Sequence, residues 1–123
     1  LTWSHVGCDS SQCGACCVHV SGVAVKSCTM LAVEADGADV RTIEGEANAD
    51  GSLSVIQQAF QDHHGLQCGF CTPALVLGAR ALLDAVPDPT EEEVREALTG
   101  LCRCTGYAKP TAAVVAAASR RGR

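Results

Sequence analysis

Aromatic side chains are scarce in this chain, which has one Trp, one Tyr and two Phe in 123 residues. Positive charge is scarce too: nine Lys and Arg stand against fourteen Asp and Glu, for a net charge of −5. A nucleic-acid groove wants basic stripes and aromatic platforms, so no nucleic-acid partner is expected. Long hydrophobic runs are lacking. The stretch from Pro73 to Val86 is interrupted by Gly78, Arg80 and Asp84 and falls short of a bilayer's thickness, so no membrane-spanning segment is expected. No phosphate-cradling glycine loop, nucleophile beside a base, or suggestively paired carboxylates are found, which leaves no catalytic residue for substrate chemistry in this chain. The one dense basic patch, Arg120, Arg121 and Arg123, reads as a solvated terminus.

Cysteine is what the chain has in quantity. There are nine, and five fall within GCDSSQCGACCVHVSGVAVKSC, from Gly7 to Cys28. The count is odd, and no charged-then-apolar leader opens the chain at Leu1. A reducing compartment, the cytoplasm, is therefore expected. There, clustered thiols serve metal or redox chemistry rather than crosslinks.

The chain divides into two halves by period. Val18, Val20, Val23 and Val25 alternate around Ser21-Gly22 and predict a hairpin. A further strand is expected over Val40 to Glu44, with a helical turn or irregular crossover between Thr29 and Ala35. The small, polar run GEANADG, Gly45 to Gly51, marks the boundary, giving domains over 1–45 and 46–123. Beyond it the period changes to 3.6. Leu53, Ile56 and Phe60 form one helical stripe, closed at Gly65. A second helix is expected with Thr72 as N-cap and Pro73 at its first position, carrying Leu75, Ala79, Leu82 and Val86 on one face. Pro87 and Pro89 stop it. Thr90 and Glu93 form a capping box for a third helix with Val94, Leu98 and Leu101 inward. A fourth, Ala-rich helix follows from Pro110 to Ala118. Short amphipathic helices bury their stripes against one another or a neighbour, so a small bundle is expected.

The cysteines divide in the same way. Cys8, Cys13 and Cys16 follow the plant-type C-x4-C-x2-C spacing, and Cys28 returns across the hairpin as a fourth thiol. Two sulfide-bridged irons take two thiolates each, so these four fit one [2Fe-2S] cluster. Gly7 and Gly14 sit where such a loop needs positive φ or a close approach of backbone N–H to sulfur. The second group, Cys68, Cys71, Cys102 and Cys104, supplies four more thiols from two loops at helix ends, where free N–H groups favour an anionic cluster. Zinc also accepts four thiolates, though the tight C-x-C pair is unlike a zinc knuckle. Thioredoxin-like chemistry at Cys68-Gly69-Phe70-Cys71 lacks its βαβ setting. A Rieske centre needs a C-x-H spacing that His19, His63 and His64 do not provide, so these read as surface or packing residues. Cys17, the ninth thiol, is expected to be a small buried side chain.

GCDSSQCGACCVHVSGVAVKSCTM, then QCGFCTPA and LCRCTGY, resemble the small iron–sulfur subunit of the molybdenum hydroxylases, the family of xanthine oxidase and aerobic carbon monoxide dehydrogenase. KSCTMLAVEADGADVRTIEG is particularly similar to the carbon monoxide dehydrogenase type. The resemblance implies an α+β fold: a partial β-grasp, plant-type ferredoxin-like domain holding one [2Fe-2S] cluster, then a four-helix bundle domain holding the other. It places the helical-domain cluster beside a molybdopterin cofactor on a large subunit and the first cluster toward FAD on a medium subunit, in a dimer of heterotrimers. Gln67 and Cys104 match positions that touch the pterin. Substrates in the family include CO, aldehydes and N-heteroaromatics. Three departures stand out: the family has a β-hairpin and a helix before the first motif, where this chain opens at LTWSHVGC; TGLCRCTGY is one residue short before Cys102; and Ala74 replaces a common Gly.

The expected function is thus an electron-transfer subunit of a molybdenum- and flavin-dependent oxidoreductase, with the substrate site on another chain. A free ferredoxin-like shuttle is the alternative. The Ala- and Val-rich last helix favours the subunit, because an obligate partner wants apolar faces.

Overall fold

The computed structural model describes residues 1–122, so Arg123 of the basic tail lies outside the described residues. A small sheet packs on a group of helices. Strands β1 (Cys17–Val20) and β2 (Val23–Lys26) pair antiparallel with Cys17 opposite Lys26 and Val20 opposite Val23. Two residues join them, and both take positive φ, Ser21 at 48° and Gly22 at 84°. Such a turn matches the twist of its flanking strands, which is why Ser-Gly marks a hairpin. β3 (Val40–Arg41) pairs with the other edge of β1, giving the order β2-β1-β3. It is shorter than expected, because residues Ile43–Gly45 turn into a 3-10 helix.

Four α-helices follow among the described residues. α1 (Val55–Asp62) starts at a capping box, in which Ser54 accepts from the Gln57 N–H and Gln57 accepts from the Ser54 N–H. It ends with His64 at φ 52° and the Gly65 N–H on the Phe60 carbonyl at 2.7 Å, a Schellman closure. A Cβ on Gly65 would meet the Phe60 ring at 2.9 Å, so only glycine fits there. α2 (Thr72–Ala85) carries Pro73 in its first turn, but Cys71 rather than Thr72 is the N-cap. α3 (Glu91–Ala97) has the expected Thr90–Glu93 box. α4 (Ala108–Arg121) is longer at both ends than the expected 110–118.

The core joins Ile56 and Phe60 of α1, Leu75, Val76, Ala79 and Leu83 of α2, Val94 of α3, and Ala113, Val114 and Ala117 of α4. Leu53, expected on the α1 stripe, precedes the helix and is exposed. Of the expected α2 stripe, Leu75 and Ala79 are buried, but farther along Leu83 is buried and Leu82 only partly, and Val86 is already the C-cap. α2 is buried on several sides because the sheet lies against it as well as the other helices. His19, on β1, is buried and donates its Nε2–H to the Leu77 carbonyl at 2.8 Å. Leu101 points out, 65% exposed, because α3 ends at Ala97 and the chain then turns toward the first cysteine loop. The apolar face of α4 is used within the chain's own core, so it does not speak for a partner.

Buried Glu46, in the segment expected as a linker, accepts from Arg80 at 2.6 Å and from the Ser54 hydroxyl at 2.9 Å, tying that segment to α2. Arg120 pairs with Asp62 and Arg121 with Asp84, so these two tail residues hold helix ends together rather than being merely solvated. No helix among the described residues is long and apolar enough to cross a membrane.

Candidate metal centres

The loop from Gly7 to Cys16 coils so that its amides face inward. Asp9 and Ser11 both take φ 56° and Gly14 takes 72°, the left-handed values that turn successive N–H groups to one side. The amides of Ser10 and Cys13 reach the Cys8 sulfur at 3.4 and 3.3 Å. Ser11 N–H lies 3.3 Å from the Cys28 sulfur, and Cys28 N–H 3.4 Å from that of Cys16. These bonds tie Cys8, Cys13, Cys16 and Cys28 into one nest. The Cys13 amide, with help from Ser10, pulls the Cys8 thiol down to about 6. A Cβ on Gly7 would stand 3.0 Å from the Cys13 sulfur, which explains a glycine at that position. Cys17 leaves the nest. It lines a small cavity with Gly14, Gly78 and Leu82, and burial raises its thiol to about 11.

The second group is built from helix ends. Cys71 caps α2 and is buried, beside the free N–H groups of the helix's first turn. Burial first, then the neighbouring thiol of Cys102, push it up to about 12, and Cys68 adds to the shift. Such a thiol ionises readily only with positive charge beside it. The Cys102 sulfur lies 3.0 Å from the Thr105 hydroxyl. Cys68 and Cys104 are exposed. The exposed Gln67 donates its Nε2–H to the Cys104 carbonyl at 3.1 Å, so the two residues matched to pterin positions lie together.

Sequence reasoning missed how the two loops meet. Leu101 N–H donates to the Cys13 carbonyl at 2.8 Å. Gly14 faces Gly100 there, and a Cβ on Gly14 would stand 3.0 Å from the Gly100 Cα. The loop before Cys102 therefore reaches the first loop. A second link joins His5, whose Nδ1–H donates to the Phe70 carbonyl at 2.7 Å while the rings stack at 4.6 Å. Tyr107 also went unnoticed. The sequence marks Gly14 as a loop glycine, but its distant partner Gly100 and a lone tyrosine carry no spacing signal of their own.

Among the described residues, no three Cys, His, Asp or Glu side chains are disposed to hold a single metal ion. A bridged pair of irons asks only two thiolates of each iron, so four thiols around a larger group meet its need. The sulfur-directed amides and the Gly7 cradle fit an anionic iron–sulfur group at the first nest, and the helix N-terminus fits one at the second.

The model of the [2Fe-2S] binding domain family matches residues 42–115, which contain all four thiols of the second group. The chain is 50% identical over 123 residues to the nicotine 6-hydroxylase small subunit of Paenarthrobacter nicotinovorans, covering 99% of this chain and 73% of that protein. It is 50% identical over 121 residues to the nicotinate dehydrogenase small FeS subunit of Eubacterium barkeri, with 98% and 76% covered. Among solved structures, quinoline 2-oxidoreductase of Pseudomonas putida 86 superposes with a TM-score of 0.93 at 41% identity, over 99% of this chain and 78% of that one. The chain belongs to the small iron–sulfur subunits of the molybdenum hydroxylases.

As such a subunit it is an electron-transfer component of an oxidoreductase. Its α+β fold, with a small sheet and four helices among the described residues, is shared with that solved structure. The family model begins after the first nest, whereas the two relatives cover nearly the whole chain.

Proposed function

We propose that this iron–sulfur subunit holds two [2Fe-2S] clusters, one on Cys8, Cys13, Cys16 and Cys28 and one on Cys68, Cys71, Cys102 and Cys104. It relays electrons from a molybdopterin site on a large subunit to FAD on a medium subunit, within a cytoplasmic dimer of heterotrimers. When bound, each cluster takes up and releases one electron at a time. Residues 1–45 then form the core of a ferredoxin-like, β-grasp unit, and residues 46–123 form a helical unit.

The observation that carries this reading is the bond from Leu101 N–H to the Cys13 carbonyl. It sets a residue of the first nest one peptide away from Cys102 of the second, so two thiol groups meet through a direct backbone contact. The chain's own residues do the rest. Inward amides at Cys8, Cys16 and Cys28 stabilise negative charge, and the Gly14–Gly100 approach keeps the loops in contact. Gln67, whose Nε2 donates to the Cys104 carbonyl, would offer its remaining amide hydrogen to a pterin edge.

Phe70, Leu66 and Leu101 are 47%, 40% and 65% exposed on the segments that carry the second thiol group. Exposed apolar residues around a redox site favour an obligate subunit over a freely diffusing shuttle. The substrate follows the relatives: their names point to nicotine, nicotinate and quinoline, so an N-heteroaromatic is favoured over CO or an aldehyde. Purification of the native assembly tests the reading. Molybdenum, flavin, iron and acid-labile sulfide should travel with this chain, and a lone chain carrying zinc without sulfide would refute it.

A further inference from the structure

Beyond the metal ligands themselves, the geometry points to Tyr107 as the positioning residue that aims one metal loop at the other. This rests on the two-cluster reading above. The Tyr107 hydroxyl accepts from the Cys102 N–H at 2.9 Å and donates to the Gly100 carbonyl at 3.2 Å. One oxygen thus straddles Leu101, gripping the peptide group on either side of the residue whose N–H meets the Cys13 carbonyl. Among the described residues, neither the Cys102 N–H nor the Gly100 carbonyl has another partner.

The fold places that hydroxyl at some cost. Tyr107 takes φ 65°, a left-handed conformation that a bulky side chain rarely adopts, at the entrance to α4. Its N–H is held by the Thr105 hydroxyl at 3.2 Å, and the same hydroxyl touches the Cys102 sulfur. Its carbonyl accepts from Thr111 N–H at 2.9 Å and so starts the helix. A tyrosine wanted only for packing would need its ring and not its oxygen. Here the oxygen completes two backbone bonds in the segment that bridges the nests, and the strained backbone delivers it. Electronic coupling falls steeply with any loosening of such a contact, so the phenol sets how well the two centres communicate without binding either.

The test is Tyr107→Phe in the whole complex, which keeps the ring and removes the oxygen. Both paramagnetic cluster signals and the iron and sulfide content should stay at native levels. The magnetic interaction between the two reduced clusters should weaken, and electron passage from substrate to flavin should slow severalfold with KM unchanged. Unchanged coupling and rate overturn the proposal, and so does loss of either cluster, which would make the phenol a structural requirement instead. Should the variant fail to assemble, hydrogen exchange on the native complex decides: slow exchange of the Leu101 and Cys102 amides supports the clamp, and fast exchange refutes it. A native complex with fewer than two cluster signals would sink the two-cluster reading itself, a result separate from any behaviour of Tyr107.

Discussion

The two thiol groups solve one problem in different ways. The first nest draws its four thiols from Cys8 to Cys28 and shapes itself locally, through left-handed residues and amides aimed at sulfur. The second brings Cys68 and Cys71, at the start of α2, together with Cys102 and Cys104, between α3 and α4, across the whole sequence span of α2 and α3. Its geometry is inherited from the core. The difference teaches that the first thiol group depends on turn chemistry and the second on helix packing, so perturbations should separate them.

The largest separation is expected from the ligands. Cys71→Ser should abolish the second cluster's signal and leave the first, while Cys13→Ser should do the reverse, as read by paramagnetic resonance of the reduced complex. A core cut comes next. Phe60→Ala, in a buried ring packed against Gly65, should cost about 3–5 kcal/mol in thermal or denaturant unfolding. It should loosen the second centre before the first, because that centre rests on α2 and α4.

Gly14→Ala tests where the two regions stop being independent. The left-handed φ alone costs about 1–2 kcal/mol, and the added Cβ presses on Gly100. Both cluster signals should change shape, since the substitution lies in one loop and strikes the other. The smallest effect is chemical. In the cluster-free chain, amides favour the Cys8 thiolate and lower its pKa to about 6, so alkylation of Cys8 should already level off near neutral pH. Burial holds Cys71 near about 12 and Cys17 near about 11, so their rates should still rise at the alkaline end of the range. Mass spectrometry of the alkylated peptides reads this order.

The same contrast governs what the sequence reveals. The hairpin and the first nest are local, so valine alternation, Ser-Gly and the C-x4-C-x2-C spacing point to them directly. Thr90–Glu93 likewise writes its own helix start. Features that fail to show are those set across the chain. The α2 stripe shifts from Leu82 to Leu83 because the sheet covers a face that a lone helix would leave open, and Leu101 turns outward because its backbone serves Cys13. β3 shrinks where Ile43–Gly45 coils, and the tail arginines find Asp62 and Asp84 only in three dimensions. Tyr107 and Gly100 matter through a contact with a loop nearly ninety residues upstream.

A reductive titration of the native complex, followed by paramagnetic resonance with parallel iron and sulfide analysis, bears most directly on the paired centres. Two distinct signals should appear, with about four irons and four sulfides per copy of this chain, because each bridged pair takes two of each. A single signal with half that content, or zinc with no labile sulfide, would contradict the account.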